Sequence, residues 1–230
     1  MNRKNLTSAV LAGLAGVAGI ASTAQAVNIN PDGLGQVLLY PYYTVQGGNE
    51  TLISVVNTTD AGKAVKVRFL EGENSQEVLD FNLYMSPFDV WTAAVVELEV
   101  EPNEFDAATT VPGLVTADTS CTVPYLYADA PDGQPFLPFR LNDKGQATGV
   151  FESVWPRGAE GHLEMLEMGE IEGDSLDAAT HGSTGVPADC EQLVTGWFTP
   201  PAGEAADPSY YWTIDPTTDA LPPGGGLFGS

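Results

Sequence analysis

Basic residues are scarce in this sequence. Eight Lys and Arg stand against 31 Asp and Glu in 230 residues, which gives a formal net charge of −23 at pH 7. Because nucleic-acid binding depends on cationic contacts with phosphate, this balance argues against nucleic-acid partners, and it disfavours anionic membranes by the same sign. The charge is compatible with divalent cations, with basic partners, or with simple solvation of the surface in salt.

Histidine is scarcer still, and the compact catalytic motifs are missing. His162 and His181 are the only two histidines, so any Ser-His-Asp or multi-histidine metal site must use one of them. The sequence contains no Gly-x-Ser-x-Gly elbow, P-loop, His-Glu-x-x-His or Cys-x-x-Cys. With 31 acidic residues, a facing carboxylate pair of the kind that glycosidases use is expected by chance. We therefore predict a protein that is not an enzyme and assign no catalytic residue.

The apolar run near the start of the chain is too short for a membrane span, which needs about 20 residues. It covers about residues 9–21, follows Arg3 and Lys4, and precedes Ala24 and Ala26. This order is typical of a cleavable signal peptide. We predict that residues 1–26 are removed on export and that the mature chain carries no membrane span. Loss of the two basic residues would change the net charge from −23 to −25.

Cysteine is limited to two residues, Cys121 and Cys190. In the oxidising compartment that a signal peptide implies, an even number of cysteines favours pairing. We predict a Cys121–Cys190 disulfide, which the chain-entropy model credits with roughly 4 kcal/mol for a loop of this size.

Calcium is the one cofactor that the composition makes possible. Oxygen ligands on turns of an exported acidic protein suit a hard cation, and the candidate ligands are Asp129, Asp132, Asp215 and Asp219. Solvated turns are the simpler interpretation, because Asp-Gly is mainly a turn dipeptide. No other cofactor is predicted.

Short apolar or alternating runs separated by turn residues dominate the first half of the mature chain. They cover residues 35–45, 51–56, 64–70, 78–84 and 90–100. Strands at this spacing predict a mainly β protein, an antiparallel β-sandwich that is immunoglobulin-like or related. The clearest strand alternates Val65, Val67 and Phe69 with Lys66 and Arg68, so we expect the first three in the core and the two cations in solvent.

Pro41 predicts an edge strand or a bend in the first run, because proline cannot donate to a central ladder. Later strand candidates are weaker and cover residues 111–123, 148–155, 162–168 and 210–212. One short helix is predicted at residues 187–197, where Pro187 suits the first turn and acidic residues follow it. We assign residues 27–215 to one β-rich domain. Residues 216–230, with Pro222 and Gly224 to Gly226, are predicted to be a linker or the start of a further segment.

Five stretches of the chain bear on its relationships: GQVLLYPYYTVQGGNETLISVVNTTDAGKAVKVRFLEGENSQEVLDFNLYMSPFDVWTAAV at residues 35–95, TADTSCTVP at 116–124, GHLEMLEMG at 161–169, GVPADCEQLVTGW at 185–197 and GGGLFGS at 224–230. Together they resemble a family of uncharacterised secreted proteins of proteobacteria. The resemblance covers nearly the whole mature chain. It implies export and a shared fold, and it supplies no activity.

We therefore expect an exported acidic β-sandwich with a structural or binding role at or outside the cell surface, secreted or surface-bound, with the periplasm as a further location. Its partner is expected to be a protein, a glycan or matrix. The alternatives are a secreted hydrolase that uses carboxylates and a calcium-dependent adhesive or surface-layer unit. Aromatic residues, among them Tyr40, Tyr42, Trp91 and Trp212, could line a binding groove, although most are more simply core residues.

Overall fold

A computed structural model describes residues 30–100, 109–126, 133–137, 155–198 and 208–230. Residues 33–230 form one compact unit, and within it the described chain is mainly β, as predicted. The strands are β1 (Val37–Thr44), β2 (Thr51–Asn57), β3 (Gly62–Glu71), β4 (Glu77–Met85), β5 (Val90–Glu99), β6 (Thr110–Val115), β7 (Cys121–Val123), β8 (Gln134–Pro135), β9 (Glu160–Ile171), β10 (Ala220–Leu221) and β11 (Leu227–Gly229).

The strands form two antiparallel sheets. The first has the order β1-β9-β3-β4-β7, with β10 also paired to β9, and the second has the order β11-β2-β5-β6-β8. The chain crosses between the sheets after β2 and returns after β4. Phe81 of the first sheet and Trp91 of the second meet with ring centroids 5.7 Å apart, so the two sheets enclose a common core and form a sandwich.

The alternation along β3 decides which side chains enter that core. Val65, Val67 and Phe69 are fully buried, as the period of two predicted. Lys66 and Arg68 lie on the outer face, where Lys66 pairs with Asp80 and Arg68 with Glu77 and Glu164. The prediction for this strand is confirmed.

The first strand lies at a sheet edge, as Pro41 indicated. β1 pairs only with β9 in the sheet order, and its register shifts between Tyr40 and Tyr43. Proline is tolerated at such an edge irregularity because no ladder donor is required there.

Two later strand predictions need correction. The stretch 111–123 forms two strands, β6 in the second sheet and β7 in the first, because residues 116–120 cross from one sheet to the other. Tyr210 to Trp212 are not a strand: Pro208–Tyr210 is a 3-10 turn and a helical turn follows it. Trp212 packs parallel to the Tyr84 ring and donates to Thr218 O, so tertiary contacts outweigh the β propensity of the aromatic residues. Residues 148–154 lie outside the described residues.

The described part of the chain contains three short helices where one was predicted: α1 (Gly173–Ala179), α2 (Cys190–Gly196) and α3 (Tyr211–Ile214). The predicted helix is α2, but it begins three residues after Pro187 because Asp189 caps it by accepting from Gln192 N. The helices share a buried cluster with Ala64, Tyr84 and Ile171. Ala64 and Tyr84 alternate with core residues of β3 and β4, and Ile171 follows a register shift in the pairing of β9 with β3. The helices therefore cover part of the outer face of the first sheet.

The tail predicted to be a linker contributes strands to both sheets. β10 pairs with β9 and β11 pairs with β2, and Leu227 is fully buried. Between them, Gly224 N and Gly225 N donate to the carboxylate of Glu167 at 3.0 and 2.7 Å. Residues 220–229 thus belong to the sandwich. Among the described residues, no helix has the length and apolarity needed to cross a membrane.

Candidate binding site

The predicted disulfide is present between Cys121 and Cys190, with the Cα atoms 5.2 Å apart. Cys121 begins β7 at the edge of the first sheet, and Cys190 is the first residue of α2. The bond therefore ties the helical layer to the sheet edge. Covalent closure of a loop of 69 residues stabilises the fold mainly by restricting the unfolded chain.

A cavity of about 490 Å³ lies beside this bond. We call it the disulfide cavity. Its wall is built by the crossing segment between β6 and β7, by the start of β5 and by the residues after β7. The lining residues are Trp91, Thr116, Ala117, Asp118, Thr119, Ser120, Cys121, Thr122, Tyr125, Leu126 and Cys190. Cavities of this volume are typical of small-molecule sites.

Asp118 organises the polar wall. Its Oδ1 accepts from Ser120 N at 2.9 Å and from Ser120 Oγ at 2.7 Å, and its Oδ2 accepts from Thr92 N at 3.3 Å. Thr116 Oγ1 donates to Thr92 O at 2.6 Å. These bonds hold the crossing segment against β5. An ionised carboxylate offers about four acceptor positions, so Asp118 keeps capacity for one more donor.

Trp91 is a buried part of the same wall. The residue is fully buried, and its indole N–H has no hydrogen-bond partner among the described residues. A buried N–H without a partner costs about 1–3 kcal/mol, so such groups are rare in folded proteins. Thr122 lies nearby in the lining, and its Oγ1 accepts from Leu126 N at 2.9 Å, which leaves the hydroxyl proton free to donate.

Tyr125 supplies an exposed aromatic ring. It is 45% exposed, and its phenol donates to Glu191 Oε2 at 3.1 Å. Burial of part of the ring and the Glu191 carboxylate together raise the pKa of Tyr125. The phenol therefore stays protonated at neutral pH, and its bond to α2 fixes the ring at the cavity.

A serine, a histidine and an aspartate also meet on this side of the molecule. Ser86 Oγ lies 2.9 Å from His181 Nδ1, and Asp89 Oδ2 lies 3.5 Å from the same nitrogen. Asp89 Oδ2 also accepts from Ser86 N at 3.0 Å and from Ser120 Oγ at 3.4 Å. In a catalytic triad the serine and the acid contact opposite ring nitrogens of the histidine. Here both contact Nδ1, and Ser86 is buried, so the cluster has the geometry of a loop anchor.

Two of the four calcium candidates, Asp215 and Asp219, lie among the described residues, and each accepts hydrogen bonds within the protein. Asp129 and Asp132 lie outside the described residues. Asp215 Oδ1 accepts from Thr217 N and Oγ1 at 2.9 and 2.6 Å, which holds the pKa of Asp215 below its ordinary value. Asp219 Oδ2 accepts from Ser175 N and Oγ at 3.1 and 3.0 Å, which supplies α1 with a partner for an N-terminal donor. The two described aspartates thus serve a turn and a helix end.

The residues of the disulfide cavity were largely missed by the sequence analysis. Trp91 was named only among many aromatics, and Asp118 and Tyr125 were not named. The available signal was the hydroxyl-rich run around Cys121, TADTSCT, in which short polar side chains flank a half-cystine.

No protein-family model matches this chain, and no curated protein or solved structure matches it. The geometry of the fold and the cavity therefore carries the functional argument.

Proposed function

We propose that this protein is an exported binding module that acts at or outside the cell surface and holds its ligand in the disulfide cavity. The signal-peptide pattern at residues 1–26, the resemblance to secreted proteobacterial proteins and the disulfide all support an oxidising location, since disulfides persist mainly in such compartments. The acidic surface suits a protein that stays soluble outside the cell.

One observation carries the binding role. The disulfide cavity combines a volume of about 490 Å³ with the carboxylate of Asp118 and the exposed aromatic ring of Tyr125. A concave site with a few converging polar groups is the usual form of a ligand site. Asp118 lies on the crossing segment and Tyr125 follows β7, whose first residue, Cys121, is bonded to Cys190 of α2. Both groups are therefore held in place before any ligand arrives.

A secreted hydrolase is the alternative from another functional class. It would require an acid and a base, or a nucleophile and a base, to converge on one substrate atom. The Ser86–His181–Asp89 cluster does not support this role, because serine and aspartate share one nitrogen of the imidazole. The binding role is favoured for this reason.

The test determines where the protein is located in the cell and whether the purified protein is retained on the cell envelope. Cells of the source organism are fractionated, and the mature N-terminus is determined. Purified, fluorescently labelled mature protein is then incubated with washed cells and envelope fragments, with and without EDTA. We expect the protein in an exported fraction, with saturable retention on the envelope.

Recovery in the cytoplasm with residues 1–26 intact would contradict the export part, and absence of saturable retention would contradict the binding part. Retention that EDTA abolishes would instead support the calcium-dependent adhesive unit. A variant with Cys121→Ser and Cys190→Ser serves as control, because it loosens the cavity wall while leaving the surface charge unchanged.

A further inference from the structure

The groups that a ligand can reach in the disulfide cavity identify its chemical class. We infer that the cavity binds an organic cation that carries a primary ammonium group on an alkyl chain. This inference rests on the proposed binding role and names its ligand.

Only part of the cavity wall is accessible to a ligand. Trp91 and Thr122 are buried, so their polar atoms are not counted as ligand contacts. The polar side chains that line the cavity and keep exposed surface are those of Thr116, Asp118, Thr119 and Tyr125. A ligand therefore meets one carboxylate, one aromatic ring and three hydroxyls.

The three hydroxyls already use their protons within the protein. Thr116 donates to Thr92 O at 2.6 Å, Thr119 to Gly185 O at 2.7 Å and Tyr125 to Glu191 Oε2 at 3.1 Å. The Asp118 carboxylate only accepts, and it keeps one position. These side chains thus present acceptors to the cavity, and the ligand has to supply the donors. A primary ammonium has three donors and no acceptor, so it matches this wall.

Electrostatics also favours a cation beside Asp118. Among the described residues, the lysines and arginines pair with other carboxylates: Lys63 with Glu167, Lys66 with Asp80, Arg68 with Glu77 and Arg157 with Glu71. None of the described residues that line the cavity is a lysine or an arginine. A cationic ligand would neutralise Asp118, and the net charge of −23 would attract it from a distance.

The exposed ring of Tyr125 gives an organic cation a second contact. An ammonium above the face of a tyrosine is attracted by the quadrupole of the ring. Tyr125 is 45% exposed, and its bond to Glu191 fixes the ring. Burial of part of the ring raises the pKa of Tyr125, and Glu191 and Asp189 raise it further. The negative field that disfavours a phenolate at this position favours a cation there. A metal ion would use oxygen ligands and leave the ring without a role.

The test compares three ligands that share a five-carbon chain and differ in their end groups. They are 1,5-diaminopentane, pentane-1,5-diol and glutarate, which are cationic, neutral and anionic at pH 7. Each is titrated by calorimetry into the oxidised protein at about 0.15 M salt, where exposed charges more than about 8 Å apart are largely screened. We expect saturable one-to-one binding of the diamine, and binding of the diol and of glutarate that is weaker by at least about tenfold. Tetramethylammonium, a cation without an N–H donor, should also bind more weakly than the diamine.

Two variants locate the site. Asp118→Asn keeps the size of the side chain and removes its charge, so the affinity for the diamine should fall about tenfold. Tyr125→Ala removes the exposed ring and should lower the affinity about three- to tenfold. This variant leaves the bonds of Asp118 in place, so it stays informative if Asp118→Asn loosens the wall.

Each variant has a matched control elsewhere on the surface. Asp60→Asn removes one carboxylate from an exposed bend between β2 and β3. Tyr42→Ala removes an exposed tyrosine that is also bonded to a glutamate, Glu160, at 2.9 Å. Both controls should bind the diamine like the wild type.

Two sources of the ligand share this chemistry, a free alkylamine and the lysine side chain of another exported protein. Titration with Nα-acetyl-lysine methylamide represents the second source. Tighter binding of the diamine would assign the site to a free amine, and tighter binding of the lysine derivative would assign it to a protein. Either result supports the ammonium site.

The inference fails if the diamine shows no saturable binding, if the diol or glutarate binds as tightly, or if Asp118→Asn and Tyr125→Ala both bind like the wild type. Equal weakening by Asp60→Asn would show a response to net charge alone and would overturn it as well. Its failure is separable from failure of the proposed function. Saturable retention on the envelope without any binding of the diamine would preserve the binding role and overturn the ammonium site.

Discussion

Lys63 is the residue whose removal tests the structure most sharply. Its ammonium is fully buried, bonded to Glu167 Oε1 at 2.9 Å and to Glu170 Oε1 at 2.6 Å. Lys63→Met keeps the length and apolar stem of the side chain but leaves two carboxylates together without a cation. Glu167 is fully buried and Glu170 is largely buried, so water solvates neither carboxylate well.

Breaking a buried pair by removing one partner typically costs about 3–5 kcal/mol, because the other charge stays buried. Glu167 keeps its bonds from Gly224 N and Gly225 N, which argues for the lower half of that range. We expect a loss of about 3–4 kcal/mol in the free energy of unfolding at pH 7.

Lys66→Met provides the matched control on the same strand. Lys66 also pairs with one carboxylate, but Lys66 and Asp80 are 30% and 41% exposed. An exposed pair contributes about 0–1 kcal/mol, so the control should lose no more than this. Urea denaturation with the disulfide intact measures both variants. Adding Glu167→Gln to Lys63→Met should recover part of the loss, because it removes one uncompensated charge.

Alkaline pH gives an independent check on Lys63. Burial disfavours its charged form, but the bonds to Glu170 and Glu167 outweigh this and raise its pKa overall. The stabilisation is therefore complete below the unfolded value of about 10.4 and is lost as pH rises through the folded value. The difference between wild type and Lys63→Met should shrink in that window. Equal losses for Lys63→Met and Lys66→Met at pH 7, or a loss below about 1 kcal/mol at Lys63, would refute the buried network.

Two further predictions follow from the same structure, and a third follows from the sequence. Phe69→Ala removes a fully buried ring and should cost about 3–5 kcal/mol, whereas Arg68→Ala on the outer face should cost about 1 kcal/mol or less; similar urea midpoints for the two would contradict the strand register. Burial disfavours the charged form of Glu71, but Arg157 and three backbone N–H groups hold its pKa below the ordinary value, so its contribution is present above about pH 4.3 and is lost as pH falls through the folded value. In urea melts between about pH 2 and 6, the free energy of unfolding of Glu71→Gln should fall less steeply with decreasing pH than that of the wild type. An equally steep fall in both proteins would show that Glu71 is not the source of this pH dependence. Cleavage after Ala26 should appear in the intact mass of the exported protein, and a mass that includes residues 1–26 would disprove it.

The local pattern of apolar and polar residues was sufficient to predict the strands in the first half of the chain. Alternation at Val65, Val67 and Phe69 is a property of neighbouring residues, because successive side chains of a strand point to opposite faces. The Cys121–Cys190 disulfide was likewise predictable, because the chain has an even number of cysteines and a signal peptide implies an oxidising compartment. Pro41 indicated an edge strand because proline lacks the backbone N–H that a central strand donates, and this is known from the residue type alone.

The remaining features depend on residues far apart in sequence. Lys63 continues the inward row of Val65 on β3, yet a charged residue there is stable only because Glu167, 104 positions later, lies beside it. The same carboxylate draws Gly224 and Gly225 inward and turns an apparent linker into part of the sandwich. Tyr211 and Trp212 form a helical turn because Tyr84 and the other helices bury their rings.

The disulfide cavity shows the same division between sequence and structure. The sequence determined its ingredients, a hydroxyl-rich run around Cys121 and a tryptophan in a strand. Only the tertiary structure decided that the crossing segment, Trp91 and Tyr125 surround one space, because β5 and β7 belong to opposite sheets and Cys190 arrives from a helix 69 residues later. Hydrophobic alternation specifies which face of a strand is buried, but convergence of polar groups is set by how the faces pack, and that packing has no local signature.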